Sequence, residues 1–141
     1  MNPPVADTMP RPLETTQDVF VRPNEQSRTD GYSASTMVRW LELGRMELFR
    51  RQGISPRRLE GLGYFLVVIH VEYDLIETVT LDEGFSLWTW ESRLTPVKAE
   101  HSYEFRFGGR LVAVGRTIVA CIDRGRVVQK LEDTPLRTPI E

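Results

Sequence analysis

The sequence lacks most of the features that place a chain in a function class by their presence. It has one cysteine, Cys121, in 141 residues, so no internal disulfide can form, which fits a reducing compartment. That cysteine and two distant histidines, His70 and His101, make no metal-ligand pattern, and neither a metal nor a cofactor is expected. No apolar run approaches the roughly 20 residues that span a bilayer. The first residues lack the basic segment followed by an apolar one that marks a secretory signal. Charge of one sign is missing too: 18 Lys and Arg against 20 Asp and Glu leave a net charge of −2, with no electrostatic footprint for nucleic acid. Internal repeats and low-complexity tracts are absent. The expectation is a soluble cytoplasmic protein with neither nucleic acid nor membrane as partner.

What is present suits one domain. A chain of this length buries roughly 70% of its unfolded surface and folds without staples. Residues 1–18, with Pro3, Pro4, Pro10 and Pro12, carry too little apolar surface to offset ordering and read as a flexible tail. Residues 19–134 form the domain, and 135–141 a second tail. Asp18 to Arg22 reads as a short strand stopped by Pro23, and Asn24 to Ser33 as a polar loop.

The organising stretch follows. Ala34 to Gln52 places Met37, Leu41, Gly44 and Leu48 on one stripe, flanked by Val38 and Phe49, which predicts an amphipathic helix. Ser33 or Ser35 can cap it. Gly44 costs about 1 kcal/mol against alanine in mid-helix, which implies the close approach of a strand. Glu47 is spaced to pair with Arg51, Gly53 suits the residue after the helix, and Pro56 should prevent its resumption. About 19 helical residues span roughly 28 Å.

Strands dominate the rest. Tyr64 to Tyr73 alternates Phe65, Val67, Ile69, Val71 and Tyr73 on one face against Leu66, Val68, His70 and Glu72 on the other. A turn at Asp82 to Gly84 leads to a strand from Phe85 to Leu94, ended by Pro96. Ser102 to Phe107 and Arg110 to Ile122 flank Gly108-Gly109, a two-residue hairpin signal. A last short strand is expected around Val127 and Val128. Strands of ten residues reach roughly 33 Å, about the helix length, so one sheet can curl around the helix. The class is α+β, with a long central helix wrapped by a curved antiparallel sheet of about five strands.

This order resembles the hotdog fold, and particular residues resemble its acyl-thioesterase branch related to 4-hydroxybenzoyl-CoA thioesterases. Val21-Arg22-Pro23-Asn24-Glu25-Gln26-Ser27 is similar to the family's opening. Met37 to Glu42 and Arg45-Met46-Glu47 are similar to its helix, and Val71-Glu72-Tyr73 and Ile122-Asp123 to later strands. The resemblance implies hydrolysis of an acyl-CoA or acyl-carrier-protein thioester, a homodimer or homotetramer with pockets between subunits, and no cofactor. The aspartate that many members use to activate water falls on Ser27, or on Arg28 if the loop slides by one residue. A polar, non-acidic residue there and a helix arginine like Arg45 resemble the branch acting on enediyne-type polyketides.

Candidate chemistry therefore sits at the helix start. Unpaired N–H groups and a positive dipole end there can stabilise an oxyanion, with Gly31, Tyr32 and Ser33 as donors, although Gly31 also serves simply to turn the chain. Glu25 and Asp30 are the nearest bases, with a structural hydrogen bond and a helix-dipole role as their alternatives. Ser27 can orient water. Arg45 can anchor a carboxylate or reach a partner's pocket, or form a surface ion pair with Glu42. Gly31-Tyr32-Ser33-Ala34-Ser35 fails as a nucleophile elbow at its last position and lacks the preceding strand. His70 and Glu72 share a strand face, Trp88 and Trp90 another, and His101 reads as part of a polar turn. The competing class is a non-catalytic acyl-binding or assembly module; a dehydratase is third.

Overall fold

The computed structural model describes residues 13–27, 31–77 and 80–134. Most of the expected N-terminal tail and all of the C-terminal one lie outside these residues. Five strands, β1 (Glu14–Val19), β2 (Tyr64–Leu75), β3 (Phe85–Leu94), β4 (Lys98–Phe107) and β5 (Arg110–Asp123), form one antiparallel sheet in the order β1-β3-β4-β5-β2. Helix α1 (Ala34–Arg51) lies chiefly across β1, β3 and β4, and a short α2 (Pro56–Gly61) leads into β2.

The helix starts where its sequence says. The Ser33 hydroxyl accepts the Thr36 N–H, and Glu47 pairs with both Arg50 and Arg51 near the other end. Met37, Trp40, Leu41, Gly44, Leu48 and Phe49 are buried, whereas Val38, expected beside the stripe, is 41% exposed. Gly44 is where helix and sheet meet most closely: a Cβ there would overlap the Thr89 hydroxyl and stand 3.1 Å from Leu87. Trp40 anchors the core, edge-on to Tyr32 at 5.0 Å and to Phe85 at 4.9 Å. Such aromatic contacts each add about 1 kcal/mol beyond burial.

Several boundaries differ from the sequence reading, each for a visible reason. The first strand occupies Glu14–Val19 rather than Asp18–Arg22, because Thr15 and Val19 point inward while Phe20 lies outside. Pro23–Glu25 makes one 3₁₀ turn that begins at the expected strand stop and runs into the expected loop. Pro56 does not stop helical structure but opens α2 at its first turn, with Ser55 as cap, where a missing N–H costs nothing. Around Val128 there is a single bridge to Ile122, not a strand. His101 lies in β4, fully buried and edge-on to Phe49, rather than in a turn. The Gly108-Gly109 hairpin is present, with φ of 59° and 81°, as its tight turn requires.

The largest correction concerns β2. Its register against β5 slips between Val68 and His70, so Ile69 is an extra residue that exchanges the two faces. Val68 stands opposite Val119 and Val71 opposite Thr117, both inward-facing, while His70 and Glu72 stand opposite Ile118 and Arg116 on the outer face. The simple alternation read from the sequence fails at that one residue. Because α1 lies toward the other edge, the inner face of β2 is uncovered at Val68, Val71 and Leu75.

Candidate functional site

The loop before α1 is tied down by side chains that the sequence offered as catalysts. Glu25 is buried. Its carboxylate accepts the Arg22 N–H at 3.1 Å and the Arg39 Nε at 2.9 Å. Burial alone would raise its pKa, but the Arg22 N–H and the Arg39 guanidinium outweigh it and hold the carboxyl below its usual range. These two bonds tie the loop to the helix.

Ser27 and Tyr32 converge on Asp82, from the connection between β2 and β3. Asp82 accepts the Ser27 N–H at 2.9 Å, the Ser27 hydroxyl at 2.8 Å and the Tyr32 hydroxyl at 2.6 Å. The Tyr32 oxygen in turn accepts the Leu81 N–H at 2.6 Å. The Tyr32 hydroxyl and then the Ser27 N–H lower the Asp82 pKa, while burial and then the Asp82 charge raise that of Tyr32. Read locally, Asp82 is only a turn residue. Its partners lie about fifty positions away, a separation no local pattern encodes. Gly31, with φ of 90°, turns the chain, and Ser33 caps the helix. Asp30 and Arg28 lie outside the described residues.

Beside this loop, α1 and the uncovered face of β2 enclose an open cavity of about 570 Å³. Ala34, Ser35, Val38, Glu42 and Arg45 line it from the helix, with Val68 and Val71 from β2 and Thr117 from β5. Val38 is thus exposed because it is a wall of this cavity. Ala34 and Ser35 belong to the first helical turn, whose N–H groups have no helical carbonyl to bond.

Arg45 is buried to 7% exposure, which overturns the surface ion pair with Glu42. Among the described residues neither Arg45 nor Glu42 forms an ion pair. Packing explains the difference: Arg45 faces inward toward Tyr103, whereas Glu42 stays exposed on the cavity wall. The Tyr103 hydroxyl bonds that of Thr117 at 2.7 Å. Burial raises the Tyr103 pKa, and the neighbouring Arg45 charge partly opposes that shift.

No protein-family model matches the sequence, and no curated protein does. Solved structures do. The DHNA-CoA thioesterase of Staphylococcus aureus matches with a TM-score of 0.78 at 18% identity, over 85% of this chain and 82% of that one. The 1,4-dihydroxy-2-naphthoyl-CoA thioesterase of Synechocystis matches with a TM-score of 0.71 at 14% identity, over 84% and 89%. An acyl-ACP thioesterase of Bacteroides thetaiotaomicron matches with a TM-score of 0.74 at 17% identity, over 87% of this chain and 51% of that one. The chain has the hotdog fold.

On the hotdog scaffold, the remaining sequence-marked residues lie away from the cavity. His70 and Glu72 meet at 2.6 Å on the outer face of the sheet, where Arg116 bridges Glu72 and Glu100. Trp88 and Trp90 stand together on the outer face of β3, ring centroids 4.6 Å apart, and Trp88 donates to Glu14. Among the described residues no cluster of His, Cys, Asp and Glu could hold a metal ion, and no helix is long and apolar enough to cross a membrane.

Proposed function

We propose that the protein is a thioesterase that hydrolyses an acyl-CoA or acyl-carrier-protein thioester, in a cavity closed by a second copy. The observation that carries this reading is the cavity itself. It has apolar walls for an acyl chain (Val38, Val68, Val71), first-turn N–H groups at Ala34 and Ser35, and an exposed carboxylate, Glu42, without an ion-pair partner among the described residues. The thioesterase activities of the matched hotdog structures agree with it by analogy of fold.

In this reading Glu42 is the base in place of Glu25 and Ser27, while Asp30 lies outside the described residues. Glu25 and Ser27 are committed to Arg39 and Asp82, and Gly31, Tyr32 and Ser33 build the helix start rather than line the cavity. In the reaction, the carboxylate takes a proton from water as the water oxygen bonds the thioester carbon. The developing oxyanion lies against the first-turn N–H groups. Collapse breaks the C–S bond, releasing the acid, while the proton passes to the leaving thiolate.

From Ala34 to Glu42 the helix rises about 12 Å, too far for both to serve one carbonyl in a single copy. A second copy resolves this. β2 is an edge strand of 12 residues with Val68, Ile69 and Val71 exposed, a surface suited to pairing with its symmetry mate. Each site then takes its amides from one protomer and Glu42 from the other, and the protein should sediment as a dimer or a higher even oligomer.

The test is a panel of acyl-CoA and acyl-carrier-protein thioesters with free-thiol detection. Thiol release by the wild type that falls roughly 10²-fold or more in Glu42→Gln is expected. Ligand binding without release from any thioester would instead mark a non-catalytic acyl-binding module.

A further inference from the structure

A buried guanidinium lines the cavity without an ion-pair partner among the described residues, Glu42 one turn away on the same wall included. Arg45 is 93% buried, by its exposure of 7%, and it lines the cavity beside Thr117. No carboxylate of the described residues pairs with it, whereas Arg39, on the same wall, is paired with Glu25. Two hydroxyls adjoin it: Tyr103, which interacts with the Arg45 charge, and Thr117, which Tyr103 bonds and which lines the same cavity. Hydroxyls accept hydrogen bonds but do not neutralise charge. Burying an unpaired cation is costly, and a guanidinium best matches a planar carboxylate through two parallel bonds.

We propose that the missing counter-ion is part of the substrate, so that the cavity selects acyl thioesters whose chain ends in a carboxylate, with Arg45 as the specificity-determining residue. This rests on the thioesterase reading and narrows its substrate class. Chain length follows from the helix. Ser35, among the first-turn donors, and Arg45 are about 15 Å apart along the axis, and the arginine stem leans back toward the helix start. Acids of roughly six to ten carbons fit that gap.

The test compares adipyl-, suberyl- and sebacyl-CoA with hexanoyl-, octanoyl- and decanoyl-CoA, measuring both hydrolysis and calorimetric binding. The wild type should favour the carboxylated member of at least one length-matched pair by about tenfold or more. Arg45→Met, which keeps the apolar stem, should lose that preference, read as the ratio of the carboxylated to the methyl-ended member within each length-matched pair. Arg45→Lys should restore part of it, and thermal melting shows that each variant folds. A wild type that prefers methyl-ended chains, or an Arg45→Met variant that weakens both classes equally, overturns the inference and leaves the hydrolase reading standing. Binding preference for the carboxylated chains without thiol release supports Arg45 recognition while refuting hydrolysis. Absence of both preference and release refutes the two together.

Discussion

Replacing Glu25 by glutamine separates a structural carboxylate from a catalytic one. Glutamine has nearly the same shape and can still accept the Arg22 N–H through its carbonyl oxygen, but it loses the ion pair with Arg39. A charge-assisted hydrogen bond contributes about 1.5–3 kcal/mol. Arg39 is a third exposed, so water compensates part of its loss, and a destabilisation of about 1.5 kcal/mol is expected. For a domain of this size that lowers Tm by roughly 5 °C. The pH dependence carries the same signature. The folded pKa of Glu25 is depressed, so its contribution is full above the unfolded value of about 4.5 and is lost as pH falls through the folded value. The wild type and Glu25→Gln should therefore converge in stability as pH falls below 4.5 and through the lowered folded value. Thermal melts from pH 3 to 8, paired with thiol-release rates at 25 °C, make the assay. A loss of turnover of 10²-fold with an unchanged Tm would refute the structural assignment and return Glu25 to the chemistry.

Two further substitutions probe the packing and the loop. Gly44→Ala gains about 1 kcal/mol of helix propensity but drives a methyl into Thr89, an overpacking cost near 3 kcal/mol, for a net loss of about 2 kcal/mol in denaturant unfolding. Adding Thr89→Ala should recover most of that loss, since the buried Thr89 hydroxyl has no hydrogen-bond partner among the described residues; a double variant no better than the single one would contradict the contact. Asp82→Asn removes the charge that holds Ser27 and Tyr32, so amide exchange at Ser27 and Leu81 should quicken while that of the sheet is unchanged. Because the folded pKa of Asp82 is depressed, wild-type exchange at these two amides should rise toward that of the variant as pH falls below about 3.8, after correction for intrinsic rates.

The helix and the strands were legible because each depends on local pattern: a 3.6-residue apolar stripe, a serine cap, a Gly-Gly turn, Pro96 after β3. The match of helix and strand lengths pointed to a sheet wrapped around the helix, and the hotdog fold itself came from the resemblance in element order. The failures share a different cause. The bulge at Ile69 depends on how β2 sits against β5, and no residue within β2 announces it. Pro56 carries two meanings, helix stop and helix start, and only the Ser55 cap selects the second. Asp82 became a loop anchor through partners far away in sequence, while Glu42 and Arg45 looked like a pair and were separated by burial. The cavity proposed as the site borders the helix start that the sequence singled out, and the two residues proposed to work in it, Glu42 and Arg45, lie two and three turns along α1. Glu25, one of the bases sought in the polar loop, instead bonds the Arg22 N–H and the Arg39 side chain.

Hydrolysis at the cavity between α1 and β2, with Glu42 as base, is tested most directly by thiol release under saturating acyl-CoA or acyl-carrier-protein thioester. Release by the wild type, reduced by roughly 10²-fold or more in a Glu42→Gln variant of unchanged Tm, is the predicted result. Turnover undiminished in that variant, or no release by the wild type from any thioester, contradicts it.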